Sequence, residues 1–306
     1  VQPVALPICQ LAPALFPARL FIFPGNAGAQ KFQGRELVQA SLIAATATIV
    51  PGQPFTAGLL LKMAPGWNSY WQYPGDAGIP TELKWQLPQG WKAGPIQWPI
   101  PQKLEEPGGI EVYGYHDEVL HMVQLIPPAT IGEQSVLIAA AADWLVCQNV
   151  CMPGVAMVQL DLPVGETAVP SNTELFTKFR RQLPRALPNE AGAALHWNRT
   201  AKAFQLTLAD KSLAQKPSLD FFPLPETATV IGHPKKATAA DGSVVFTIPI
   251  ETADPKLQSL DGLLVFDQQA WSLGAKAVLT TATAPAAATN CEHAVGRREV
   301  LILGST

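Results

Sequence analysis

An all-β chain built as two antiparallel sandwiches is predicted from three observations. Its 306 residues exceed what one hydrophobic core usually serves, so two cores are expected. Its 29 prolines and 23 glycines punctuate short apolar runs, which suits strands and turns better than long helices. Several of those runs alternate apolar and polar residues, the period of a strand with one face on a core. The cleanest is TELKWQL at 81–87, where Leu83, Trp85 and Leu87 alternate with Glu82, Lys84 and Gln86.

Residues 1–35 read as a candidate leader. The first 29 carry no charge except Arg19, and Ala27 and Ala29 give the small-x-small pattern of a signal-peptidase site, although prolines at 3, 7, 13, 17 and 24 oppose a signal helix. In PFTAGLLLKM, 54–63, the side chains of Phe55, Ala57, Leu59, Leu61 and Met63 fall on one side of an extended chain, predicting a half-buried strand. Further strands are expected at 42–50, 119–126, 135–147 and 155–162, each bounded by Pro, Gly or Asp turns. Their spacing predicts a first sandwich over 36–165.

At PSNTELFTKFRRQLP the period changes. Ser171 and Glu174 read as a capping box, and Leu175, Phe176, Phe179 and Leu183 follow at helical spacing until Pro184 and Pro188. A short helix is therefore placed in a linker, 166–190. Beyond it, FQLTLAD alternates Phe204, Leu206 and Leu208 with Gln205 and Thr207, and strands are expected at 227–232, 243–250 and 262–279. These give a second sandwich over 191–280. A tail, 281–306, follows, entered through the small, featureless TTATAPAAATN. No internal repeat links the two halves.

A formal net charge of −3 with 15% charged residues gives no field to attract nucleic acid or an anionic membrane, so neither partner is expected. No apolar run reaches the roughly 18 residues of a spanning helix. Hydrolase, nucleotide-binding and zincin motifs are lacking. The acid pairs Glu105/Glu106 and Asp117/Glu118 lie among turn residues and read as solvated loops.

The chemistry lies in DWLVCQNVCMPG, 143–154, which holds Cys147 and Cys151; the other cysteines are Cys9 and Cys291. If 135–147 and 151–162 are successive strands, Gln148, Asn149 and Val150 form a three-residue hairpin loop and the cysteines face each other across its neck. Opposed positions lie within disulfide reach. A staple closing so short a loop adds little stability, whereas a bridge at a hairpin tip is open to an attacking thiolate, so staple and redox readings both stand. A metal reading also stands. His116, His121, His196, His233 and His293 lack ligand spacing, which disfavours zinc, but the Cys147 and Cys151 thiolates suit Cu(I).

Three stretches, APGWNSYWQYPGDAGIPTELKW at 64–85, GPIQWPIPQKL at 94–104 and DWLVCQNVCMPG, together resemble the periplasmic N-terminal region of the DsbD-like protein-disulfide reductases, particularly the branch named for suppression of copper sensitivity, ScsB. A fainter likeness continues through FFPLP at 221–225 and LDGLLVFDQQAWSLGAKA at 260–277. The resemblance implies two immunoglobulin-like antiparallel β-sandwich domains joined by a short helix-containing linker, in an exported, periplasmic protein whose full-length relatives are membrane-anchored. It implies that Cys147 and Cys151 are the catalytic pair of a protein-disulfide reductase component that uses no cofactor. Electrons would come from a membrane-embedded donor domain or protein and pass to periplasmic thioredoxin-like acceptors, in processes such as cytochrome c biogenesis and copper tolerance. The family shields its cysteines with a loop reading Asp-Glu-Phe-Tyr-Gly. IEVYG at 110–114 aligns with it through Glu111, Tyr113 and Gly114, while Ile110 replaces the Asp and Val112 the aromatic cap, implying a more open disulfide. Glu111, Val112, Tyr113 and Trp144 are thus expected as cap or partner contacts, joined by the Trp67/Tyr70/Trp71 aromatics; sandwich core is the other reading of those aromatics.

Overall fold

The computed structural model describes residues 36–187, 192–198, 201–225, 230–251 and 259–276. The expected leader, the tail, Cys9, Cys291 and residues 227–229 of the expected 227–232 strand lie outside those residues. Ten strands come first: β1 (Val38–Ala44), β2 (Phe55–Met63), β3 (Asn68–Gly75), β4 (Glu82–Gln86), β5 (Lys92–Gln97), β6 (Gln102–Glu106), β7 (Ile110–His116), β8 (Glu118–Ile126), β9 (Ser135–Cys147) and β10 (Cys151–Pro163). They form one sheet in the order β1-β2-β8-β5 and a second in the order β10-β9-β3-β7-β6, with β4 also paired to β9. The all-β, sandwich-type fold expected from the sequence is what forms.

Between the sheets lies a core that includes Leu59, Leu61, Trp71, Ile138, Ala140, Trp144 and Val146. On β9 the even-numbered residues from Val136 to Val146 are buried while Ser135, Leu137 and Ala139 are not, the alternation of a sheet with one face on a core. TELKWQL behaves the same way at the sheet edge, with Leu83 and Trp85 packed against the core and Glu82, Lys84 and Gln86 exposed. Strand β2 departs from the half-buried expectation. Leu60 is buried as well as Leu59 and Leu61, because its opposed residue Leu120 is buried too and a helix packs on neighbouring β8. The first strand also starts earlier than 42–50, at Val38. Thr46 and Ile49 leave its line to make isolated bridges with Pro170 and Val164.

The helix, α1 (Thr173–Arg180), buries Phe176 and Phe179 as the spacing predicted. The expected capping box does not form. The Ser171 amide donates to the Ala45 carbonyl, Asn172 takes the left-handed turn before the helix (φ 49°), and its amide side chain donates to the Ala44 carbonyl instead of capping.

Eight strands follow: β11 (Arg185–Ala186), β12 (Ala193–Asn198), β13 (Ala203–Leu208), β14 (Asp220–Leu224), β15 (Lys235–Thr238), β16 (Val244–Pro249), β17 (Ser259–Phe266) and β18 (Gln269–Lys276). Their sheets run β11-β18-β17-β14 and β12-β13-β16-β15, antiparallel except for the two-residue β11–β18 pairing. Phe204, Leu206, Leu208, Phe221 and Phe246 fill the core between them. Of the stretch 262–279, expected as one strand, the described residues 262–276 belong to a hairpin that turns at Asp267 and Gln268, both with positive φ (49° and 60°). Strand β14 is buried on both sides. Phe221 enters the second core, and Phe222 packs against Tyr113 of β7 with ring centroids 4.7 Å apart.

His121, on β8, is fully buried between Trp98 and Tyr115, and neither ring nitrogen has a hydrogen-bond partner among the described residues. Burial pushes its pKa from 6.5 down to about 3. Between those two values the unfolded chain binds a proton that the folded chain refuses. This contribution is therefore fully present above pH 6.5 and is lost as the pH falls toward 3. Denaturation midpoints measured across this window should show His121→Met losing less stability on acidification than the parent. The difference in slope should be up to about 1.4 kcal/mol per pH unit.

Candidate functional site

Strands β9 and β10 pair in register from Ser135↔Pro163 to Cys147↔Cys151. Gln148, Asn149 and Val150 form the expected three-residue tip, closed by the Gln148 amide donating to the Val150 carbonyl at 3.2 Å. The two cysteines are joined, with S–S 2.10 Å and Cα atoms 4.2 Å apart.

Strand parity sets which way this disulfide faces. Trp144 and Val146 point between the sheets, so Cys147 points to the outer face, where it clusters with Tyr70 and Val112. The sulfurs are not equivalent: Cys147 is 1% exposed, whereas Cys151 is exposed at the hairpin neck. Leu104, Ile110, Leu145 and Ala77 complete the apolar surroundings of Cys147.

Beside Cys151 the surroundings turn polar. The Tyr70 hydroxyl lies 4.0 Å from the Cys151 Sγ and donates a 2.6 Å hydrogen bond to Glu106 Oε1, to which the Asn68 amide also donates at 3.3 Å. Burial, with Glu106 reinforcing it, holds the Tyr70 phenol well above its ordinary value, so it stays a donor. Glu106 corrects the solvated-loop reading. Pairing of β6 with β7, Glu106 opposite Ile110, carries its carboxylate to a tyrosine 36 residues away in sequence. The carboxylate and the two sulfurs all lie within 4.8 Å of one another. While the sulfurs are bonded to each other they offer no thiolate to a metal.

The cover over the cluster also differs from expectation. IEVYG is not a loop but most of β7, hydrogen-bonded on both sides, to β3 and β6. Its alternation separates the expected cap residues: Val112 reaches the Cys147 cluster, while Tyr113 packs in the core within ring contact of Trp71 and Phe222. Glu111 receives the Tyr113 hydroxyl at 3.4 Å and the Lys103 ammonium at 3.3 Å. Trp144, Trp71 and Tyr70 are buried, Trp67 is partly buried, and the exposed apolar residues of this region are Val150 and Ile79. Part of the cover comes from 75–80, which joins β3 to β4. Ala77 packs on the cluster, and Gly78 (φ +111°) lies so close to the Tyr70 ring that a Cβ there would collide with it. Nothing in GDAGIP marks it as a cover except its glycines.

Residues 36–163 match the family described as thiol:disulfide interchange protein DsbD, N-terminal. The fold is similar to the N-terminal periplasmic domain of ScsB from Proteus mirabilis, with TM-score 0.61 and 17% identity over 81% of this chain and 96% of that one. The sporulation control protein Spo0M from Bacillus subtilis aligns with TM-score 0.22 and 9% identity over 78% of this chain and 84% of that one. A search of curated protein sequences returns no match.

Gly78→Ala tests the cover. It should cost about 1–3 kcal/mol in denaturant unfolding, from the left-handed backbone together with the clash on Tyr70. It should also quicken alkylation of the reduced cysteines. Gly108→Ala, equally left-handed (φ +94°) but facing open space, should cost only the backbone part and leave alkylation unchanged.

Proposed function

Starting from residues 36–163 as a domain of the DsbD N-terminal family, we propose that the Cys147–Cys151 pair carries out thiol-disulfide interchange with other proteins in the periplasm. The observation that carries this reading is the asymmetry of the two sulfurs. Exposed bridges are the ones most open to exchange, and here Cys151 is presented at a surface while Cys147 is buried. Nearby Val150 is 61% exposed.

A reduced partner's thiolate attacks Cys151 Sγ. A new S–S bond joins the partner to Cys151, the Cys147–Cys151 bond breaks, and Cys147 leaves with the electron pair and takes up a proton. A second thiolate from the partner then displaces Cys151. The reduced pair later passes its two electrons on: the Cys151 thiolate attacks an acceptor's disulfide, and Cys147 resolves the mixed disulfide. In this proposal the donor is a membrane-embedded domain or protein and the acceptors are periplasmic thioredoxin-like proteins. Val112 and the 75–80 segment are the cap, while Glu111 and Tyr113 support it from behind. Division into a redox sandwich at 36–165, a linker at 166–190 and a second sandwich at 191–280 belongs to the same proposal.

One observation favours a second reading. Once reduced, Cys147 and Cys151 would hold two soft thiolates side by side, the donor type that Cu(I) selects. Titration of the reduced protein with Cu(I) against a competing chelator decides it, because a carrier binds stoichiometrically and loses that binding in Cys147→Ser.

Equilibration of Cys9→Ser/Cys291→Ser protein with glutathione buffers should place the pair between about −120 and −270 mV, the range of exchange proteins. A potential below about −300 mV would mark a staple. In the same background Cys147→Ser should accumulate a mixed disulfide with a thioredoxin-like partner through Cys151, and Cys151→Ser should accumulate none.

A further inference from the structure

The segment that covers the disulfide is fastened where the two sandwiches meet. The Asp76 amide donates to the Glu111 carbonyl at 3.0 Å, and the Glu111 amide donates back to Asp76 Oδ2 at 2.9 Å. Asp76 is thereby stitched to β7 one residue before Ala77, and Glu111 lies one residue before Val112; Ala77 and Val112 are the residues that pack in the Cys147 cluster. The second sandwich holds this stitch. His233, between the Ile231 bridge and β15, places Nε2 3.3 Å from Asp76 Oδ2 and Nδ1 3.2 Å from Glu111 Oε1.

A neutral imidazole donates from only one nitrogen, and a carboxylate only accepts. Both contacts can be hydrogen bonds only when His233 is the imidazolium. We propose that protonated His233 is a latch, tying Asp76 and Glu111 to the second sandwich and so holding Val112 and Ala77 over Cys147, and that loss of its proton loosens this cover. The inference rests on the exchange reading of the pair and adds its regulation: acid closes the site, and neutral or mildly alkaline pH opens it.

The groups around the latch fit this role. Glu111 Oε1 also receives Lys103 Nζ and the Tyr113 hydroxyl, and Lys103 reaches Asp220 of β14 at 2.7 Å. Burial works against the Lys103 ammonium, but Asp220 and Glu111 outweigh it and keep it charged. On the Asp76 side stand Tyr73 and Glu251. Burial, then Asp76, holds the Tyr73 phenol up, so it remains neutral. Of the described groups facing Asp76 and Glu111, His233 is the one whose side-chain type changes charge between about pH 5 and pH 8. An open Cys147 matters to the chemistry because it is the sulfur that leaves. A thiolate released into the dry cluster of Tyr70, Val112 and Leu145 is poorly solvated, and loosening the cover admits water to it.

The test is the rate at which dithiothreitol reduces the disulfide in the full chain, taken as the ratio of variant to parent at each pH so that the reagent's own titration cancels. His233→Leu should be reduced about three- to five-fold faster than the parent near pH 5.5, the scale of one partly exposed ion pair, and equally fast near pH 8. His233→Arg, a permanent cation with a fork for two carboxylates, should be slow at both pH values. Asp76→Asn keeps an acceptor for the Glu111 amide but not the charge, and should follow His233→Leu if that variant folds poorly. Ratios of one at both pH values overturn the latch. A redox potential in the staple range would instead sink the exchange reading, and the dithiothreitol ratios would still decide the latch.

Discussion

The parity of one strand orders the site. Side chains on β9 alternate between the inter-sheet core and the outer face, so burying Val136 through Val146 at even positions sends Cys147 outward. A slip of one residue would turn the disulfide into the core and expose Trp144. The hydrophobic pattern therefore fixes the orientation of the redox pair as firmly as it fixes the fold, because the same free energy opposes both errors. Pairing then carries this parity to β3, where Asn68 lies opposite Cys147 and Tyr70 follows two residues later on the same face.

Two consecutive phenylalanines do similar work in joining the sandwiches. Phe221 and Phe222 point to opposite faces of β14, and both faces are dry because one meets the second core and the other meets Tyr113. Tyr113 itself has a buried ring and a hydroxyl turned to Glu111. The contact between sandwiches thus has an apolar part, Phe222 on Tyr113, and a charged rim of Lys103, Asp220, Glu111, Asp76 and His233. The apolar part fixes position, and the partly exposed rim is weak enough to respond to conditions.

What the sequence revealed divides along physical lines. Strands with one wet face, such as β4 and β9, announce themselves by alternation, and β9 was placed at its observed limits. Two strands buried on both faces carry no such signal: β3 reads NSYWQYPG and β7 reads IEVYGYH, and neither pattern predicts a strand. Edge strands interrupted by proline and glycine, as KAGPIQ in β5, are equally silent. The β17–β18 turn was missed because Asp267-Gln268 adopts left-handed backbone without a glycine to signal it. In the site, the facing of Cys147 and Cys151 across a hairpin neck is legible from spacing and their redox role only from the family resemblance, whereas Glu106 is legible from neither. Its neighbours Pro107, Gly108 and Gly109 say turn, and its partner is a tyrosine supplied by another strand.

The surroundings of the two sulfurs bear on how a reduced pair would behave. Around Cys147 there is little to solvate an anion, and beside Cys151 stands the Glu106 carboxylate, a charge of the wrong sign to favour a thiolate. Tyr70 offsets part of this, since its hydroxyl can turn from Glu106 toward the sulfur. These surroundings do little to promote a thiolate, the nucleophilic form, so the reduced domain would be guarded against indiscriminate exchange even with Cys151 exposed. A productive partner must therefore bring something that the domain lacks, either a cation for Cys151 or a helix N-terminus directed at it. On that argument specificity in the reducing direction resides less in the shape of the exposed surface at Val150 and Ile79 than in the electrostatic complement a partner supplies.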